Sequence, residues 1–328
     1  MTSIDPRLRA WAWLTRRMAP VATMSDTDIV TLQARRIPAN AVTGWLFGAV
    51  PPGVEVTGRL VPGPAGHIPL RVYTPSPATA GDGSGSVVGV ESDAPRPLVL
   101  YFHGGGFVLG NLDMGNWVCG SVAARVGAVV VSVEYRLAPI HPFPAAVEDC
   151  YTALKWSADN ADELGAPGPV GVMGESAGGN LSAVMCLIAK ERGGPAISHQ
   201  GLIYPATDMT DQGQPKAGPT TPFLTDGDIA AYKRLYLGAD GDTANPWVSP
   251  LLAADHTGLP PALIQVAEHD PLREDGLRYA AALRAAGVPV RVTEYVGMTH
   301  GFVNFPGLSR SAHQALAELC VEQAAALR

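Results

Sequence analysis

A chain of 328 residues with 47% hydrophobic and 16% charged side chains can bury one large core, so it reads as one α/β domain or a core with a smaller attached layer. A formal net charge of −7, with no basic cluster beyond Arg16-Arg17 and Arg35-Arg36, argues against nucleic acid or anionic membrane as a partner. Charged residues interrupt the N-terminus and no run approaches about 18 apolar residues, so neither a signal peptide nor an integral membrane segment is expected.

Residues 1 to about 50 alternate helical stretches, at 8–18 and 26–36, with prolines, and they carry Trp11, Trp13, Trp45 and Phe47. They read as a small helical layer whose aromatics are expected to pack on the main body rather than touch substrate, although the underside of a lid is at once core and pocket wall. From Val54 the period becomes that of strands, and residues 54–61 and 68–73 are expected to pair antiparallel. The Gly-, Ser-, Ala-, Asp- and Pro-rich stretch 75–97 is a surface loop, with 87–90 its only strand-like fragment.

Strands and helices then alternate. Strands are expected at 98–102, 128–133, 170–173, 201–204, 262–267 and 290–295, and helices at 116–126, 145–158, 176–191, 274–286 and 309–327. Such alternation implies a mainly parallel sheet covered on both faces. It breaks between Asp208 and Trp247, an insert with one helix near 226–237 that would lie over the carboxyl ends of the strands. No internal repeat or linker divides the chain.

The chemistry centres on Gly174-Glu175-Ser176-Ala177-Gly178, between an apolar strand and a helix-forming run. In a chain with 37 glycines a Gly-x-Ser-x-Gly match is weak by itself, but a strand before it and a helix after it are the context a nucleophilic serine elbow requires. The alternative is a plain strand-helix turn. After the strand at 98–102 comes His103-Gly104-Gly105-Gly106-Phe107, whose bare glycines let backbone N–H groups approach a ligand. Such a loop can donate to the oxyanion of a tetrahedral intermediate, with the N–H of Ala177 as a further donor and His103 supporting the loop. A dinucleotide phosphate loop fits less well, because Gly104-x-Gly106-x-x-x-Gly110 misses the required spacing.

An acid is expected at the end of the strand 262–267, where Asp270 in Glu268-His269-Asp270-Pro271-Leu272 is the choice. An aspartate before proline is equally a helix N-cap, and Glu268 and Asp275 stand as weaker candidates for the acid. Only His300 among the eight histidines lies between the last strand and the last helix, where the base belongs in the order Ser, Asp, His. No His, Cys or Asp set has metal-ligand spacing, so neither a metal nor a cofactor is expected. Cys119, Cys150, Cys186 and Cys320 form no C-x-x-C pair and read as buried thiols of a cytoplasmic protein.

With His103-Gly-Gly-Gly-Phe107, Tyr135-Arg-Leu-Ala-Pro139, His141-Pro-Phe-Pro144, Gly174-Glu-Ser-Ala-Gly-Gly179, Asp270-Pro-Leu-Arg273 and His300-Gly-Phe302 in that order, the chain from about residue 54 onward resembles the bacterial hormone-sensitive-lipase family of esterases. The resemblance implies an α/β-hydrolase fold: a mainly parallel central sheet flanked by helices, with a helical cap. The cap would comprise residues 1–52 and the insert 208–247, and the core residues 53–207 and 248–328. The resemblance also implies a catalytic triad of Ser176, Asp270 and His300, and an oxyanion hole from the backbone of Gly105, Gly106 and Ala177, to which the glycine run adds Gly104.

Three positions depart from the family pattern: Glu175 where Asp or Thr is usual, Ile140 where Glu is frequent, and His269 before the acid. Glu175 is similar to the elbow of the larger type-B carboxylesterases, but those chains are much longer and use Glu as the triad acid. The expectation is therefore a carboxylesterase acting on small-molecule esters of short to medium acyl chains, with a homodimer left open. An amidase or deacetylase at the same site is the alternative. A non-catalytic binding protein, resembling the plant gibberellin receptors, is remoter because all three triad residues are present.

Overall fold

The structure is a computed structural model that describes residues 3–15, 20–76, 95–210, 223–238 and 241–328. Antiparallel β1 (Val54–Gly63) and β2 (Gly66–Pro75) open a sheet continued by β3 (Leu98–Phe102), β4 (Val129–Val133), β5 (Val170–Glu175), β6 (Ile197–Ile203), β7 (Ala262–His269) and β8 (Val290–Thr299). The spatial order is β1-β2-β4-β3-β5-β6-β7-β8, and every pairing from β4 onward is parallel. The expected fragment at 87–90 and the arms of the insert at 211–222 lie outside the described residues.

Strand side chains point alternately to the two faces, and both faces here are buried. In β3, Leu98, Leu100 and Phe102 join one apolar cluster while Val99 and Tyr101 join the other. The helices α1 (Pro6–Thr15), α2 (Asp26–Gln33) and α3 (Ala41–Phe47) precede the sheet. Then α4 (Asn116–Val126) and α9 (Arg310–Ala326) cover one face, and α5 (Ala145–Asp159), α6 (Ala177–Arg192) and α8 (Arg273–Ala285) the other. The insert supplies α7 (Asp226–Leu237), started by a capping box between Thr225 and Asp228.

Most boundaries fall within two residues of expectation, and two strands run longer. β6 begins at Ile197 because the polar His199 and Gln200 are buried inside it, with Gln200 Nε2 donating to the Pro260 carbonyl at 2.9 Å. β8 continues to Thr299, which pairs with His269 of β7 beyond a register shift. His300 therefore follows its strand directly.

Candidate active site

Ser176 sits between the end of β5 and the start of α6 with φ 56° and ψ −118°, a left-handed conformation that L side chains rarely adopt. The elbow needs glycines beside it because neighbouring backbone comes so close. A Cβ on Gly178 would lie 1.8 Å from the Phe102 carbonyl oxygen, and one on Gly174 would lie 2.4 Å from that of Gly178. The turn delivers Ser176 Oγ to His300 Nε2 at 2.9 Å.

His300 Nδ1 in turn meets Asp270 Oδ2 at 2.8 Å, and the side chain of each is largely buried. A carboxylate oxygen can only accept, so Nδ1 carries the proton and Nε2 is left to accept from the serine hydroxyl. Asp270 also serves the backbone, since its Oδ1 accepts the Leu272 N–H at 2.8 Å. The helix itself begins later than the cap reading expected: Leu272 is the cap residue of α8, and Asp270 closes the turn before it. The alternative acids are occupied elsewhere. Glu268 Oε2 accepts the Gly297 N–H at 2.8 Å, and Asp275 Oδ2 accepts the N–H groups of Thr207 and Asp208 at 3.0 and 3.1 Å. Burial raises the Asp275 carboxyl to about 7, against the pull of those two N–H groups.

The glycine loop follows β3 directly, and the N–H groups of Gly105, Gly106 and Ala177 have no acceptor among the described residues. The 16-residue helix α6 starts at Ala177, adding the partial positive charge of its N-terminus. Gly104 departs from expectation. Its N–H donates to Glu175 Oε1 at 2.8 Å, so it is not a donor to the pocket. His103 is fully buried below the loop with Nδ1 2.8 Å from the Gly104 carbonyl oxygen, and Tyr135 stacks on its ring at 4.3 Å. Burial lowers the His103 pKa.

Sequence reasoning left two participants unassigned. Glu175, the departure in the elbow, is buried and lines the pocket, and loss of solvent raises its carboxyl to about 7 despite the Tyr101 hydroxyl, the Gly104 N–H and nearby His300. Tyr232 of α7 packs so tightly on the loop that a Cβ on Gly106 would lie 2.3 Å from its Cγ. Its spacing of four from Tyr236, which stacks on Phe107 at 3.9 Å, is the helical signal that could have marked both. The other two departures stand apart from this arrangement: Ile140 is exposed, and His269 Nε2 faces Glu268 at 3.7 Å.

These groups open into a mainly apolar cavity of about 450 Å³. Its upper wall comes from Phe223, Leu224, Ile229 and Tyr232 of the insert, with Phe305 and Leu272 completing it. None of the N-terminal aromatics reaches the lining. Trp11 and Phe47 pack behind Phe305, with ring centroids 6.2 and 5.7 Å away, while Trp13 and Trp45 are 59% and 61% exposed. Among the described residues no three His, Cys, Asp or Glu side chains converge as a metal set, and no helix is long and apolar enough to cross a membrane.

A family model described as the alpha/beta hydrolase fold matches residues 99–304. The carboxylic ester hydrolase LipN of Mycobacterium tuberculosis is 42% identical over 311 residues, spanning 92% of this chain and 77% of that one. An arylesterase of Saccharolobus solfataricus is 32% identical over 247 residues, 74% of this chain and 76% of its own. Among solved structures, a hyperthermophilic esterase from the archaeon Pyrobaculum calidifontis superposes with a TM-score of 0.81 at 36% identity, covering 99% of both chains.

Proposed function

Because this chain belongs to the α/β-hydrolase family, among the bacterial esterases of the hormone-sensitive-lipase type, we propose that it hydrolyses carboxylic esters through an acyl-enzyme on Ser176. The observation that carries this reading is the unbroken path Ser176 Oγ, His300 Nε2, His300 Nδ1, Asp270 Oδ2, with steps of 2.9 and 2.8 Å between side chains. His300 takes the serine proton as Oγ attacks the ester carbonyl, and Asp270 holds the ring in the required tautomer and balances the imidazolium. His300 then protonates the departing alkoxide. Water, deprotonated by the same nitrogen, releases the acid.

The carbonyl oxygen gains its charge beside the N–H groups of Gly105, Gly106 and Ala177. Each such donor is worth on the order of 3 kcal/mol in the transition state, and general-base help adds about 10²–10⁴ in rate. The reaction needs no cofactor. A mainly apolar cavity of about 450 Å³ suits short to medium acyl chains. The four buried, unpaired thiols fit a reducing compartment, supporting a cytoplasmic site of action.

The test is a panel of activated esters from acetyl to decanoyl, run beside matched amides and acetylated sugars, for the wild type and Ser176→Ala. Ester turnover should dominate in the wild type. It should fall by several orders of magnitude in the variant, with the fold intact by circular dichroism. A loss of only a few-fold would remove Ser176 as nucleophile, and faster turnover of amides or acetylated sugars would shift the substrate class.

A further inference from the structure

Glu175 takes no part in the path from Ser176 to Asp270, yet its carboxylate is buried against the glycine loop. We propose that Glu175 is a positioning residue for the oxyanion hole: by accepting the Gly104 N–H it fixes the loop peptides so that the Gly105 N–H faces the substrate oxygen. This rests on the serine-hydrolase reading above and adds to it the device that holds the donors in place.

Two consecutive peptide planes carry the restraint. An amide is planar and trans, so its C=O and N–H point in opposite directions, and holding one orients the other. The first plane joins the His103 carbonyl to the Gly104 N–H. It is held at both ends, with the Tyr135 hydroxyl donating to the carbonyl at 2.6 Å and the N–H donating to Glu175 Oε1 at 2.8 Å. The second plane joins the Gly104 carbonyl to the Gly105 N–H. Here the buried imidazole of His103 donates from Nδ1 to the carbonyl at 2.8 Å, which turns the Gly105 N–H away from the interior and toward the cavity that Gly105 lines.

Only the two backbone dihedrals of Gly104 connect these planes, and glycine restrains them least of any residue. The hydrogen bonds therefore supply the restraint that the side chain does not. There is also little room for an alternative, since a Cβ on Gly104 would lie 3.0 Å from the Glu175 carbonyl oxygen and 3.3 Å from Ser176 Cβ. Glu175 is covalently next to Ser176. The clamp thus references the donor loop to the nucleophile's own backbone, and a shift of one is carried to the other.

The experiment measures kcat and KM for an activated acetyl ester and inhibition by a trifluoromethyl ketone, whose adduct with Ser176 is an oxyanion, in Glu175→Leu, Glu175→Gln and Tyr135→Phe. Leu removes the acceptor. It should lower kcat about 10- to 100-fold, leave KM within about threefold, and weaken the ketone by a factor similar to the loss in kcat. Gln keeps a carbonyl acceptor and should hold kcat at least about tenfold above Leu. Tyr135→Phe frees the other end of the same peptide and should lower kcat and ketone affinity together, by a smaller factor.

Wild-type kcat in the Leu variant, equal losses in Leu and Gln, or a loss confined to KM would overturn the proposal. If the Leu variant does not fold, Tyr135→Phe decides it, and unchanged kcat and ketone affinity there would overturn it equally. A wild-type protein that turned over no ester would instead sink the serine-hydrolase reading itself.

Discussion

Asp270 divides its two oxygens between the backbone and a ring nitrogen, Oδ1 on the Leu272 N–H and Oδ2 on His300 Nδ1, each at 2.8 Å. Asp270→Asn separates the two duties. The amide can keep its oxygen on Leu272 and then presents an NH₂ to a ring nitrogen that must itself donate, so the imidazole loses its orientation and its counter-charge. The expected result is a fall in kcat of about 10⁴ with a loss of stability of about 1 kcal/mol or less, read from steady-state kinetics and thermal melts. Near-full activity would leave Asp270 a structural residue. The same division explains why the local pattern, taken alone, favours cap and acid equally. An Asp-Pro pair after a strand satisfies the local requirement of either role, and only the 30-residue jump to His300 shows Oδ2 on an imidazole while α8 takes Leu272 as its cap.

At the level of elements, the strand-turn-helix around Ser176 was legible because apolar runs and helical periodicity flank it, and its neighbours β3 and α4 fall where alternation places them. What escaped was long-range satisfaction of polar groups. His199 and Gln200 stand outside the strand expected at 201–204 until β6 buries them, and the Gly104 N–H looks free until Glu175, 71 residues away, accepts it. The insert hid its role for the same reason. The periodicity of α7 marks its length but not that Tyr232 lands on the glycine loop. Tyr232→Ala should open the cavity wall beside Gly106 and raise the ratio of kcat/KM for octanoyl over acetyl esters about tenfold, the scale of one or two buried methylenes in a pocket. Competing the two esters in one reaction measures that ratio directly. No change in it would place the acyl chain against a part of the lining other than Tyr232.

Over the whole molecule the described parts of the N-terminal segment and the insert pack against one another. Val21 and Ile29 from the first share a buried cluster with Ala231 and Leu235 of α7 and with Val108 beyond the glycine loop. Gln33 reinforces this, its Nε2 donating to the Val108 and Ala138 carbonyls at 2.7 and 2.8 Å, and Asn111 donates to the Arg35 carbonyl at 3.0 Å. The expected packing of the N-terminal aromatics on the main body is seen at Trp11 and Phe47, which back the cavity wall through Phe305. Deleting residues 1 to about 45 uncovers the apolar face of α7 and leaves Phe305 without Trp11, which favours association and loosens the wall. Ser176, Asp270, His300 and their strands remain. A soluble truncated protein should therefore still hydrolyse an activated acetyl ester, with kcat lowered about 10- to 100-fold by a less rigid donor loop and with discrimination across acyl lengths flattened. Gln33→Leu cuts only the two hydrogen bonds to the loop side and should lower kcat while keeping the chain-length profile. Profiles from acetyl to decanoyl for the full chain, the truncation and Gln33→Leu, each checked for monodispersity, separate these effects. An unchanged profile in the truncated protein would show that α7 and the core shape the pocket without support from the N-terminal segment.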